Sequence, residues 1–232
     1  MDIHGFTKTT LLDFPGLVAA TVFTGGCNFR CPFCHNSELV LNPSSFPRED
    51  EDNLLNFLKK RKGILSGVCI TGGEPTLQPD LKEWIIKLKD MDYKVKLDTN
   101  GFRPEILKDL IDNKLLDYVA MDIKAGHAGY GHAVGITNFN TDNIDTSVSI
   151  LAEGRVPYEF RTTAVKGIHD DEDFIDIACW LPADCSYFIQ SYKETQGIGS
   201  MPCDSFSTEL LSHFLDIVKP SIPKSALRGV DI

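Results

Sequence analysis

Basic charge is in deficit: Lys and Arg total 23 against 33 Asp and Glu, a formal net charge of −10 over 232 residues. Such a surface repels a phosphate backbone, which argues against nucleic acid as a partner. Long apolar runs are missing too. The longest candidate, around Leu17 to Phe23, is strand-sized and far short of the roughly 18 residues that a membrane span needs, so no membrane role is expected. The first residues carry Asp2, Lys8 and Asp13 among scattered apolar positions and lack the basic start and apolar stretch of a secretory signal, so the expected location is cytoplasmic. Internal repeats, low-complexity tracts and linkers are absent, and 42% hydrophobic residues supply one core, so a single domain over residues 1–232 is expected.

What is there begins with six short apolar, β-branched runs: Val18 to Thr24, Val68 to Thr71, Val95 to Asp98, Tyr118 to Ile123, Tyr158 to Thr163 and Tyr187 to Gln190. Each has the length of a buried strand. Between and after them, apolar residues recur at spacings of three and four: Leu54/Leu58, Leu81/Trp84/Ile85/Leu88, Ile106/Leu107/Leu110/Ile111, Ile144/Val148/Leu151, Phe174/Ala178/Leu181 and Leu210/Phe214/Val218. These spacings give each helix one apolar stripe. Pro104 suits a first helical turn, and Gly154-Arg155-Val156-Pro157 stops the fourth helix before the fifth strand. Strict β-then-α alternation predicts parallel strands in an α/β fold. A complete eight-unit barrel takes about 250 residues, so the expectation is a partial (β/α)6 TIM-type barrel. Leu41 to Asp52, with Asn42, Pro43, Ser44, Ser45 and Pro47, reads as a long loop suited to a lid.

Seven cysteines is an odd number. Cys27, Cys31 and Cys34 fall within eight residues, whereas Cys69, Cys179, Cys185 and Cys203 are scattered; in a cytosolic chain such a cluster points to metal before disulfides. In parallel α/β barrels chemistry collects at the carboxyl ends of the strands. Polar groups fall there in every unit: the three cysteines, then Gly72-Gly73-Glu74-Pro75, Asp98-Thr99-Asn100-Gly101, Asp122 with Lys124, Arg161, and Gln190. Three thiolates in the loop Gly25 to Asn36 can hold three irons of a cubane cluster and leave the fourth open. A zinc site on Cys27, Cys31, Cys34 and His35 is the competing reading, although adjacent Cys34 and His35 would strain a tetrahedron and no second CxxC pair follows. A thioredoxin-like Cys31/Cys34 pair would leave Cys27 without a role.

Two adjacent glycines let backbone approach a ligand closely, and Glu74 is the one charge beside them, suited to an ammonium. Gly-Gly-Glu-Pro and Asp-Thr-Asn-Gly also read as plain turns. Asp122 and Lys124 lie on one face of an apolar strand, where an unpartnered charge is costly, and they could simply pair with each other. His127, His132 and His169 read as solvated loop histidines, Cys69 as a small core residue, and Cys179, Cys185 and Cys203 carry no assignment.

The Cys-x₃-Cys-x₂-Cys loop followed by Gly-Gly-Glu-Pro resembles the radical S-adenosylmethionine (SAM) superfamily, with Phe33 at its usual adenine-contacting position. The string Gly5-Phe6-Thr7-Lys8-Thr9-Thr10-Leu11-Leu12-Asp13-Phe14-Pro15-Gly16, followed by Cys31-Pro32-Phe33-Cys34-His35-Asn36, is similar in particular to the activating proteins of anaerobic ribonucleoside-triphosphate reductases. Pyruvate formate-lyase activating enzymes are close cousins. The likeness runs from Gly5 to Gly197. It implies a [4Fe-4S] cluster on Cys27, Cys31 and Cys34, with SAM chelating the open iron through its amino and carboxylate groups. Gly72, Gly73 and Glu74 would hold the amino group, and Phe33, His35, Asp122, Ile123, Lys124, Arg161 and Gln190 would complete the cofactor site. Asp98, Thr99 and Asp122 would hold a monovalent cation. The implied activity is that of an oxidoreductase: reductive SAM cleavage, fed by a flavodoxin or ferredoxin, that places a glycyl radical on a partner enzyme, an anaerobic ribonucleotide reductase. Where the cousin has a histidine in a Pro-Tyr-His string, this chain reads Ser191-Tyr192-Lys193, so that contact is not carried over. The alternatives are a radical SAM enzyme acting on a small molecule or on a formate-lyase type partner, and a zinc-stabilised binding module without catalysis.

Overall fold

A computed structural model describes residues 1–194, 197–198 and 203–230. The chain packs into two compact units, one of Met1–Asn28, Glu38–Ala120 and Arg155–Pro157, the other of Phe29–Ser37, Met121–Gly154 and Tyr158–Ile232.

In the first unit β1 (Ile3–Thr10) pairs antiparallel with β2 (Ala19–Thr24), and β3 (Gly67–Gly72) and β4 (Lys94–Thr99) continue in parallel. Thr24 lies opposite Gly72, so β2 and β3 end together. Helices α1 (Ser37–Leu41), α2 (Glu51–Arg61), α3 (Leu81–Asp90) and α4 (Pro104–Asp112) follow. Their buried stripes are Leu54 and Leu58; Leu81, Trp84, Ile85 and Leu88; and Leu107, Leu110 and Ile111, as expected except that Ile106 is only half-buried. Pro104 opens α4, where a missing N–H costs nothing.

Strand β5 (Tyr118–Asp122) contributes its first three residues to the first unit and its last two to the second. In the second unit β6 (Tyr158–Ala164), β7 (Ser186–Ser191) and β8 (Ser225–Arg228) pair in parallel. Its helices are α5 (Tyr130–Val134), α6 (Asp142–Ala152), α7 (Asp171–Trp180) and α8 (Thr208–Val218). After α6 the chain turns at Gly154, φ +67°, a conformation that favours glycine. Asp170 caps α7 by accepting from the Glu172 and Asp173 amides, at 3.0 and 3.4 Å. Phe174 and Phe214 stack with ring centroids 4.2 Å apart, joining α7 to α8.

The strands run in chain order across one mixed α/β sheet. The six expected strands are β2 to β7, and β1 and β8 add one to each end. In β1 only Ile3 is fully buried, so no apolar alternation marks it, and β8 has four residues. The stripe of α8 runs through Leu211, while Leu210 is 46% exposed. The expected loop of Leu41 to Asp52 shrinks at both ends: Leu41 closes α1, and Glu51 and Asp52 form the first turn of α2, capped by Asp50, which accepts from the Asn53 amide at 2.7 Å. Among the described residues no helix is long and apolar enough to cross a membrane.

Candidate cofactor site

In the first unit the Gly-Gly-Glu-Pro turn is fastened to the start of the cysteine loop. The Gly73 amide donates to the Thr24 carbonyl and the Glu74 amide to the Gly26 carbonyl, both at 2.8 Å. A Cβ on Gly72, where φ is +116°, would stand 2.3 Å from the Thr24 nitrogen, and one on Gly73 would stand 1.8 Å from the Gly26 oxygen. The sequence suggests close approach to a ligand; here the two glycines admit the chain's own loop.

Glu74 is 1% exposed. Its Oε1 accepts from the Thr76 amide (3.1 Å), the Thr76 hydroxyl (2.5 Å) and the Thr99 hydroxyl (2.7 Å), and its Oε2 from the Asn100 amide (2.7 Å). Burial pushes its pKa up against these donors. The carboxylate expected to face an ammonium is held by four donors of its own chain. Asn100, which the sequence marks only as a turn residue, turns its side-chain Nδ2 toward Cys27 Sγ (3.8 Å) and Asn28 Oδ1 (2.9 Å).

Of the residues expected around a monovalent cation, Asp98 and Thr99 lie in this unit and have partners within the chain. Asp98 is paired with the ammonium of Lys96, a residue 2% exposed that also lies 3.8 Å from Cys69 Sγ. Thr99, on the opposite face of the strand, donates to Glu74 and accepts from the Gly101 amide at 3.1 Å.

In the second unit Asp122 carries two cations. Lys124 Nζ lies 2.9 Å from Oδ2, and Arg161 Nε and Nη2 each lie 2.9 Å from Oδ1. Burial alone would raise the Asp122 pKa, but Arg161 and Lys124 outweigh it and hold it at about 2. Burial would likewise lower that of Lys124, yet the charges of Asp122 and then Cys31 raise it. Asp122 and Lys124 do pair, as the plain reading allowed, but with Arg161 on the same carboxylate the group keeps an excess positive charge. Ile123 is fully buried and acts through its backbone, its amide donating to the Arg161 carbonyl at 2.8 Å.

His169, expected in solvent, is 5% exposed. Its Nδ1 accepts from the Val165 amide at 3.0 Å, which leaves the ring proton on Nε2 to donate to the Lys124 carbonyl at 2.7 Å. Burial lowers its pKa, so the ring is neutral. Its edge meets Phe33, 4% exposed, at a centroid distance of 5.9 Å. Sequence reasoning missed His169 because its polar neighbours Asp170 and Asp171 suggest a wet loop, whereas they open α7.

The second unit holds its part of the cysteine loop by backbone bonds: Arg30 amide to Val134 carbonyl at 2.9 Å and Ile198 amide to Pro32 carbonyl at 3.0 Å. The Cys34 thiol is pushed up by burial, an effect that Lys124 and Arg30 oppose. His35 places Nε2 3.2 Å from the Lys193 carbonyl and its ring against Tyr192, so Ser191-Tyr192-Lys193 meets the loop through main chain and an aromatic face. Gln190 is half-buried in β7 opposite Thr163 and Arg228. His132 is exposed, and His127 bridges Asp176 (2.9 Å) and Asp145 (3.1 Å).

Among the described residues no three His, Cys, Asp or Glu side chains are gathered as a ready metal centre. The donor chemistry fits a cluster nonetheless: all seven cysteines are free thiols, and three soft sulfur donors in one loop match three iron positions.

A model of the radical SAM superfamily matches residues 21–180, and the chain belongs to that superfamily. It is therefore a radical SAM enzyme, with a [4Fe-4S] cluster and SAM as cofactors. A Methanocaldococcus jannaschii protein provisionally named a glycyl-radical enzyme activating enzyme is 34% identical over 82% of this chain and 80% of its own. The pyruvate formate-lyase 1-activating enzyme of Escherichia coli strain K12 is 28% identical over 74% of this chain and 70% of its own. Among solved structures, a radical SAM methyltransferase from Sphaerobacter thermophilus superposes with a TM-score of 0.70 over 92% of this chain and 68% of its own, at 16% identity.

Proposed function

We propose that this chain is a glycyl-radical enzyme activase, one radical SAM domain over residues 1–232, acting on an anaerobic ribonucleoside-triphosphate reductase. Cys27, Cys31 and Cys34 would hold the cluster and leave one iron open for SAM. The chemistry such a cluster would supply when bound and reduced is one-electron cleavage of SAM. Lys124 and Arg161, sharing Asp122, offer their excess charge to the SAM carboxylate. Gly72 and Gly73 present main chain to the amino group, while Phe33, steadied by His169, packs on the adenine. His35 and Gln190, by the sequence resemblance, would also contact the cofactor. The segment 41–52 serves as a lid, and a flavodoxin or ferredoxin delivers the electron.

The observation that supports the activase part of this reading is 34% identity over 82% of the chain with a relative named for glycyl-radical activation; the choice of reductase rests on the sequence resemblance.

Anaerobic reconstitution tests it first. The protein is expected to turn brown with about four iron per chain, and Cys27→Ala, Cys31→Ala or Cys34→Ala each to lose the cluster while Cys69→Ala and Cys203→Ala keep it. Reduced protein with SAM is then expected to place a glycyl-radical doublet, read by electron paramagnetic resonance, on a reductase from the same genome. A full cluster in Cys31→Ala would sink the ligand assignment. Absence of the doublet, with a small molecule accelerating SAM cleavage instead, would replace the activase by a small-molecule enzyme.

A further inference from the structure

We infer that the side-chain amide of Asn100 is a hydrogen-bond donor to the Cys27 sulfur that makes the bound cluster easier to reduce, with Glu74 as the residue that positions it. The inference rests on Cys27 being a cluster ligand, as proposed above.

The amide orientation is fixed by its neighbours. Asn100 Oδ1 accepts from the Phe102 amide at 3.0 Å, so the oxygen faces its own turn and the Nδ2 hydrogens face the cysteine loop. One is directed to Asn28 Oδ1 at 2.9 Å and the other to Cys27 Sγ at 3.8 Å. Flipping the amide would turn an oxygen toward the sulfur and forfeit all three contacts.

The backbone is fixed as well. Oε2 of Glu74 takes the Asn100 amide at 2.7 Å, while Oε1 takes the Thr99 hydroxyl at 2.7 Å, so one buried carboxylate grips both residues. Gly101, with φ +76°, closes the turn and donates to Thr99 Oγ1 at 3.1 Å. Asn100 is itself 5% exposed, so little water competes for its donors. The first two motifs that read as ordinary turns thus combine to aim an N–H at one particular cysteine.

One-electron reduction by a low-potential donor adds a negative charge shared among iron and its thiolates. A donor aimed at one of those sulfurs favours the more negative state and raises the potential. The test is an anaerobic redox titration of the reconstituted protein, followed by electron paramagnetic resonance, on wild type, Asn100→Ala and Asn100→Asp. Asn100→Asp keeps the shape and the acceptor for Phe102 but sets an oxygen where the N–H₂ stood. Both variants are expected to carry iron at the wild-type level, with the equilibrium constant for cluster reduction lowered roughly two- to tenfold in Asn100→Ala, the size of one neutral hydrogen bond, and at least as far in Asn100→Asp. Wild-type potentials in both loaded variants would overturn the inference. So would a folded chain in which neither variant loads, because the amide would then serve assembly. A wild type that never binds a cluster fails the parent reading instead, and the iron content tells the two failures apart.

Discussion

A carboxylate offers about four lone-pair sites, and Glu74 receives four donors from Thr76, Thr99 and Asn100, three on Oε1 and one on Oε2. That carboxylate is largely engaged with its own chain, whereas Lys124 and Arg161, two cations on one carboxylate, have charge to offer. Two substitutions separate these roles. Glu74→Gln turns an N–H₂ toward donors and is expected to cost about 1–3 kcal/mol of stability, read by thermal unfolding, with the SAM affinity of folded, cluster-loaded protein unchanged. Lys124→Ala leaves Arg161 on Asp122, so the fold and cluster survive while SAM binding weakens, read by titrating the cluster's absorbance. The reverse pattern, a stable Glu74→Gln with poor SAM binding, would return Glu74 to the cofactor.

At the scale of elements, His127 ties the segment after β5 to α6 through Asp145 and to α7 through Asp176, with its ring 3.9 Å from that of Trp180. Burial lowers its pKa, but the two carboxylates outweigh that and raise it above the ordinary 6.5. A raised folded-state value means that the ties are fully present below pH 6.5 and are lost as pH climbs through the folded pKa. Stability should therefore decline from pH 6 to 8 by about 0.2–1 kcal/mol, the range of half-exposed pairs, and His127→Gln should abolish that component in melts at the two pH values. An equal decline in the variant would assign it to other groups. The elements themselves were mostly legible: β2 to β7 carry short apolar, β-branched runs, and α2, α3 and α4 bury their stripes at the named residues apart from Ile106. Strand β8 was not, because Arg228 stays by forming a two-pronged pair with buried Glu159, at 2.8 and 3.0 Å, and lying over Phe188, contacts that no local pattern announces. The cysteines were legible because their chemistry is written in eight consecutive residues. The roles of Glu74, Asn100 and His169 were not, since each depends on partners brought close only by the end of a strand.

For the whole molecule, what separates an activase from a small-molecule enzyme is the fate of the hydrogen atom. A 5′-deoxyadenosyl radical that takes a hydrogen from a partner's glycine Cα becomes 5′-deoxyadenosine and leaves a radical the partner keeps. One electron from the donor and one SAM are consumed per radical stored, so release of deoxyadenosine should match the partner radical one to one and stop when the partner is filled. Without the partner nothing supplies the hydrogen and an unfilled site admits water, so reduced protein with SAM alone should release deoxyadenosine slowly. On the activase reading, docking of the partner would complete the water-excluding enclosure, as closing lids commonly do. The measurement is a time course of deoxyadenosine by chromatography beside spin quantitation on the partner, at several ratios of partner to enzyme. A burst whose height tracks the partner supports the activase. Release that continues long after every partner chain carries its radical, or that responds to a small molecule while the partner stays diamagnetic, would mean that the hydrogen comes from elsewhere and that the partner is not the substrate.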